Sequence, residues 1–167
     1  MAPTRAPPHG PWAADTSRLL EEVASEANLA LALLNVVRNK GAPGIDGQTV
    51  EEAEVDAPKL LSRLRRALLE GRYRPGDVRR VFIPKPGGGQ RGLGIPNVID
   101  RLVQQAVLQV LEPVFERTFQ HSSHGFRPKR GQHDALDALC VGITTRRVNF
   151  IFDADVRSFF DEVSQIG

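Results

Sequence analysis

The residues best equipped for chemistry lie late in the sequence, where the apolar run Phe150-Ile151-Phe152 leads into Asp153-Ala154-Asp155. Two carboxylates two positions apart share one face of an extended chain, and a carboxylate where a strand ends is placed to bind a hard cation such as Mg2+. Val156-Arg157-Ser158-Phe159-Phe160-Asp161 follows, bringing two aromatic rings next to that position. Phosphoryl and nucleotidyl transfer use such equipment, because carboxylate-held metal ions stabilise both the attacking and the leaving oxygen. An aspartate at a strand end also serves as a turn former or helix cap, so at this point both readings stand.

A second segment, Ile83-Pro84-Lys85-Pro86-Gly87-Gly88-Gly89-Gln90-Arg91-Gly92-Leu93-Gly94-Ile95-Pro96, sets two cations on either side of three glycines. Glycines let backbone approach a ligand; Arg91 offers forked contacts and Lys85 a point charge, which suits a triphosphate. The spacing is not that of a P-loop, and no helix opens directly after the glycines as a dinucleotide site requires. A nucleic-acid backbone is an equal target. The third segment, Ser122-Ser123-His124-Gly125-Phe126-Arg127-Pro128-Lys129-Arg130-Gly131, holds hydroxyls, an aromatic ring and three cations, equipment for phosphate and sugar contacts with stacking. His121, His124 and His133 make no convincing metal set. The single cysteine, Cys140, excludes a disulfide scaffold and a multi-thiolate zinc site, and reads as a core residue.

These groups need a scaffold. Apolar positions Leu19, Leu20, Val23, Ala27, Leu31, Leu34 and Val37 predict one long helix over 17–40, or two divided at a Ser25 cap. Glycines and Pro43 make 41–48 a tight loop, and Leu60, Leu61, Leu64, Leu68 and Leu69 predict a helix over 57–70 closed by Gly71. Strands over 78–84 and 91–95 with the glycine turn form a hairpin carrying Arg79, Arg80, Lys85 and Arg91. A helix over 98–119 follows, which Pro113 should kink or restart. Beyond the 121–131 loop, Leu136, Leu139, Cys140 and Ile143 give a helix over 132–145 an apolar face, and 148–155 reads as a strand buried on both faces. The fold class is α+β: mainly helical, with one basic hairpin and a late strand.

Composition is that of a globular protein, with 41% hydrophobic and 25% charged residues among 167. The net charge of +2 conceals a division. Residues 1–62 carry 5 basic and 9 acidic side chains, residues 63–130 carry 14 and 5, and residues 131–167 carry 3 and 6. A basic middle between acidic flanks suits a polyanion partner as well as a solvated face. No stretch approaches the roughly 20 apolar residues of a membrane span. The Pro-rich residues 1–16 lack the apolar heart of a signal peptide and read as a flexible tail, so the expected location is cytoplasmic.

Asn39-Lys40-Gly41-Ala42-Pro43-Gly44-Ile45-Asp46-Gly47, Tyr73-Arg74-Pro75, Arg79 through Pro86, Leu93-Gly94-Ile95-Pro96 with Asp100-Arg101 and Gln104, Ser123 with Gly125-Phe126-Arg127-Pro128, and Asp155 with Phe159-Phe160-Asp161 occur in one order. Taken together, these motifs make the chain resemble bacterial group II intron reverse transcriptases over residues 17–166. The resemblance implies a right-hand polymerase that copies RNA into DNA with Mg2+ and deoxynucleoside triphosphates, with fingers at 17–147 and the start of the palm at 148–167. It implies Asp155 as the first metal-binding palm aspartate, with the Val156 carbonyl as its companion ligand. Phe160 would lie under the sugar and disfavour a 2′-hydroxyl, while Lys85 and Arg91 would meet the triphosphate. Arg127 would organise the nucleotide or template pocket. Arg74, Arg79, Arg80, Lys129 and Arg130 would face nucleic acid: RNA template, DNA primer and intron RNA.

Two departures stand out. Gly92 replaces the larger residue many relatives carry, and the family's second palm motif, an aromatic residue followed by two adjacent aspartates, is absent, as are thumb and maturase regions. The expectation is therefore an amino-terminal reverse transcriptase fragment, inactive alone, with an unpaired strand at 148–155 prone to self-association or to pairing with a missing downstream part. A stand-alone RNA-binding module is the alternative, and retron-like or CRISPR-associated reverse transcriptases share several of the motifs.

Overall fold

Ser25 decides how the helical part begins. Its backbone is extended and its hydroxyl accepts from the Asn28 amide at 3.3 Å, so a short helix α1 (Leu19–Val23) ends and α2 (Glu26–Arg38) starts afresh. In the computed structural model, residues 18–146 and 148–156 are described. The cap answers the question of one helix or two, and it also resets the helical phase. The buried stripe of α2 is Leu29, Ala32, Leu33 and Val36, while Leu31 and Leu34, expected to face the core, are half-exposed.

A short helix α3 (Val50–Val55), absent from the sequence expectation, is nucleated by a complete capping box between Thr49 and Glu52. The next helix, α4 (Ala57–Leu69), places Pro58 in its first turn and buries Leu60, Leu64 and Leu68, one residue per turn. Gly71 ends it at φ 65°, a left-handed backbone that glycine adopts without strain. Strands β1 (Arg79–Pro84) and β2 (Gln90–Ile95) pair antiparallel as a two-stranded sheet. The helix α5 (Val98–Glu116) buries Val98, Leu102, Ala106 and Val110 at strict four-residue spacing. It runs through Pro113 without restarting. The proline forfeits one hydrogen bond in the last turn, beyond the anchored stripe, and that loss is small beside the burial that holds the helix.

The core lies between α2 and α5, with α1, α3 and α4 packed around them. Polar side chains pin that interface. Asn28 Nδ2 donates to the carbonyls of Val23 and Ala106, both at 3.0 Å, and Gln109 Nε2 donates to Asn28 Oδ1 at 2.7 Å. Asn35 Nδ2 closes the set on Gln109 Oε1 at 3.0 Å.

Among the described residues, 119–146 and 148–156 form a second compact unit. It contains the 119–131 loop and α6 (Gln132–Thr145), whose Asp134 accepts from the Gly131 amide at 2.6 Å. Two expectations fail here. No residue of α6 is buried, so Leu136, Leu139, Ile143 and Cys140 are exposed rather than core. Residues 148–156 form no strand, and Phe150 and Phe152 are each 81% exposed. A strand exists only where a partner completes its ladder, and no described residue pairs with this segment. No described helix is long and apolar enough to cross a membrane.

Candidate nucleic-acid and nucleotide site

The hairpin register fixes which cations share a face. Arg79 lies opposite Ile95, Val81 opposite Leu93 and Ile83 opposite Arg91, so these six form one face; Arg80, Phe82 and Pro84 lie opposite Gly94, Gly92 and Gln90 on the other. Arg79 and Arg80 therefore point to different sides. Arg80, Lys85 and Arg91 are exposed, whereas Arg79 is half-buried with its Nε out of solvent and without a hydrogen-bond partner. Gly88 and Gly89 turn the chain at φ 89° and 81°, and the Lys85 amide donates to the Gly89 carbonyl at 3.1 Å. The result is a tight tip with Lys85 on one side and Arg91 on the other. Phe82, 60% exposed, lies over Gly92; a β-carbon there would meet the ring at an ordinary 3.6 Å, so a larger residue fits.

Three segments meet at the first turn of α5. Asn97, the residue before the helix, leaves its own helix uncapped and instead accepts from the amides of Ile45 at 3.0 Å and Asp46 at 3.4 Å. Arg101 Nη2 donates to the Ala42 carbonyl at 2.9 Å. Asp100, buried, accepts from the Tyr73 hydroxyl at 2.6 Å and the Gly76 amide at 3.1 Å. Burial, with the bond to Asp100 and the charge of that carboxylate, holds the Tyr73 phenol well above its usual pKa. Arg74, just beyond, turns Nη1 back onto the carbonyls of Gly71 at 2.9 Å and Tyr73 at 2.8 Å.

In the second unit, Arg127 is buried and organises its own loop. Its Nη1 donates to the carbonyls of Gln120 at 2.8 Å and Ser123 at 2.9 Å, and its guanidinium lies 5.0 Å from the centre of the Phe119 ring. Arg130 ties down the same loop through the carbonyls of His121 at 2.6 Å and Ser123 at 3.3 Å. Phe126 and Lys129, both in left-handed backbone, are left pointing into solvent.

Asp155 is exposed and accepts from the Val156 amide at 2.9 Å. Among the described residues no three His, Cys, Asp or Glu side chains converge as a metal would require. One carboxylate and the Val156 carbonyl do not by themselves make a Mg2+ site, since that ion keeps most of its waters unless several oxygens converge. Phe160 lies outside the described residues.

Sequence comparison places these groups in context. Residues 83–165 match the family described as reverse transcriptase (RNA-dependent DNA polymerase). The protein YkfC of Escherichia coli K12 is 39% identical over 151 residues, 87% of this chain and 40% of that protein. The group II intron-encoded protein LtrA of Lactococcus lactis subsp. cremoris is 33% identical over 137 residues, 81% of this chain and 22% of LtrA. The chain is thus similar to reverse transcriptases of the group II intron kind. The putative COX1/OXI3 intron 1 protein of Saccharomyces cerevisiae extends the likeness, 30% identical over 82% of this chain and 16% of that protein. The chain thus spans two fifths of the length of YkfC and less of the others. Polymerases of the reverse transcriptase family generally use divalent metal ions.

Within this family setting, the structure brings Arg79, Arg80, Lys85 and Arg91 onto one hairpin and Arg127, Lys129 and Arg130 into one loop. Sequence reasoning named Tyr73, Asp100 and Arg101 only as parts of motifs and missed what they hold. The available signal for Asn97 was its place between Pro96 and an apolar helical run, a cap position.

Proposed function

We propose that this chain supplies the fingers and the opening of the palm of an RNA-directed DNA polymerase of the group II intron maturase type. Residues 17–147 are the fingers and 148–167 the first palm segment. The observation that carries the reading is the exposed hairpin, with Lys85 and Arg91 flanking a tight glycine tip, in a chain similar to this family. In this reading Lys85 and Arg91 contact phosphates, those of a deoxynucleotide triphosphate during synthesis and those of an RNA backbone when no nucleotide is bound. Arg80 and the half-buried Arg79, with Arg74, Lys129 and Arg130, meet the RNA template, DNA primer or intron RNA. Arg127 acts by shaping its loop. Asp155 and the Val156 carbonyl contribute two Mg2+ ligands to a centre that needs further carboxylates, so these residues alone support no synthesis. Phe160 gates against the 2′-hydroxyl.

A fusion of this chain to the downstream polymerase regions of a relative tests the reading. The fusion should extend a DNA primer on an RNA template, and Asp155→Asn should abolish extension while leaving RNA affinity nearly unchanged. Phe160→Val should admit ribonucleotides. Undiminished extension by the Asp155→Asn fusion refutes the site assignment. The RNA-binding-module reading draws on the concentration of positive charge in 63–130, and it is favoured if RNA binds tightly while no fusion extends a primer.

A further inference from the structure

The hairpin stands clear of the helical core: every residue from Arg80 to Gly94 is exposed, and neither strand joins a further strand among the described residues. Its orientation is therefore set where it leaves the core. Both ends leave at one place. Gly76, three residues before β1, donates to Asp100; Asn97, two residues after β2, holds the 41–46 loop; and Asn97 immediately precedes α5 while Asp100 lies in its first turn. The two ends also touch, because a β-carbon on Gly76 would sit 2.4 Å from Asn97 Nδ2.

We propose that Asp100 is a positioning residue that clamps the base of the hairpin and so aims its tip cations, Lys85 and Arg91. This rests on the nucleic-acid reading of those cations but not on any further part of it. A two-stranded ribbon without a sheet to lie on pivots at its base, and a cation at the tip contributes to binding in proportion to how well it is pre-aimed. The carboxylate suits the task because it accepts two bonds at once, from a side chain and from a backbone amide, and because it is buried, losing either bond is costly. Tyr73 brings the end of the α4 turn into the same clamp. Asp100 touches neither nucleotide nor template in this account; its effect passes through the hairpin.

The test measures where the tip is, in the chain itself and without nucleic acid. With Cys140→Ser removing the single thiol, spin labels at Gly87→Cys, on the open tip, and Ala30→Cys, on the exposed side of α2, report a distance distribution. The parent should give one narrow distance. Tyr73→Phe and Asp100→Ala should at least double its width, and should weaken binding of a labelled RNA hairpin by about 5- to 10-fold, while Asp100→Asn restores both. Asparagine can rescue because its oxygen accepts from Gly76 and its amide reaches the Tyr73 oxygen. Should Asp100→Ala not fold, Tyr73→Phe carries the test. Gln109→Ala, which loosens the core far from the hairpin, should leave the width unchanged. A width unaltered in folded Tyr73→Phe overturns the proposal, as does equal broadening by Gln109→Ala. Failure of the parent to bind RNA sinks the functional reading and leaves the distance result standing.

Discussion

Removing the three exposed hairpin cations with the variant Arg80→Ala, Lys85→Ala, Arg91→Ala asks whether this surface meets a phosphate backbone. Arg79 is left in place because it is half-buried, and its removal would mix a stability effect with an electrostatic one. Each cation that neutralises a phosphate contributes about 0.7 to 0.9 to the slope of log affinity against log salt, so three contribute about 2 to 2.7. Between 50 and 200 mM salt, a fourfold rise, the parent should therefore lose about 20- to 40-fold more affinity than the variant. Anisotropy titrations of a labelled RNA hairpin at three salt concentrations measure this directly. Arg65→Ala with Arg66→Ala, exposed cations on α4, is the matched control and should leave the slope within error. Equal slopes for parent and triple variant, with helical circular dichroism preserved, refute the assignment of the hairpin as the contact surface.

Three further outcomes follow from the packing. Gly44→Ala places a β-carbon 2.6 Å from the Asn97 Cα and 2.8 Å from its backbone nitrogen, so chemical denaturation should show a loss of about 1–3 kcal/mol or more. Gln109→Ala strands Asn28 and Asn35 at the α2–α5 interface and should cost about 1–3 kcal/mol in the same assay. Tyr73 has a pKa raised by folding, so its contribution is fully present below the unfolded value near 10 and is lost as pH climbs above it; the stability advantage of the parent over Tyr73→Phe should be constant to about pH 9.5 and shrink beyond, and an advantage that grows there would contradict the burial argument.

What the sequence discloses is whatever depends on neighbours a few residues away. Ser25 as a cap, Gly71 as a terminator, the leucine spacing of α4 and the glycine turn of the hairpin are local devices, and all appear where expected. The capping box at Thr49 and Glu52 is equally local, yet α3 was not expected, because a six-residue helix leaves no periodicity to read. Periodicity tells which residues share a face but not whether anything covers that face. On α5 the helical apolar spacing falls where the core covers it, at Leu102, Ala106 and Val110; on α6 an equally regular apolar face is exposed. Residues 148–155 have the composition of a strand, yet strand formation is decided by a partner that the residues themselves do not encode. The clamp at α5 was hidden for another reason. Asp100 reaches partners 24 and 27 residues away, and Asn97 reaches 51 and 52, distances at which no spacing rule operates. Of the candidate site, the basic hairpin was readable in outline, but the opposed facing of Arg79 and Arg80 and the inward turn of Arg127 came only with the backbone.

The polar pin between α2 and α5 also bears on the order in which the chain acquires its shape. Asn28 and Gln109 are 81 residues apart, and the apolar stripe of α2 is completed by α5. On a ribosome, α2 emerges long before the helix that covers it, while the capped turn of α3 and the leucine face of α4 can form from local contacts in the interval. Closure of the core then waits for Val110 to leave the exit tunnel. A nascent chain stalled short of α5 would carry the hairpin residues without the core and without the Asp100 anchor. A two-stranded ribbon alone is marginal in water, so the basic tip would be aimed only once α5 has docked.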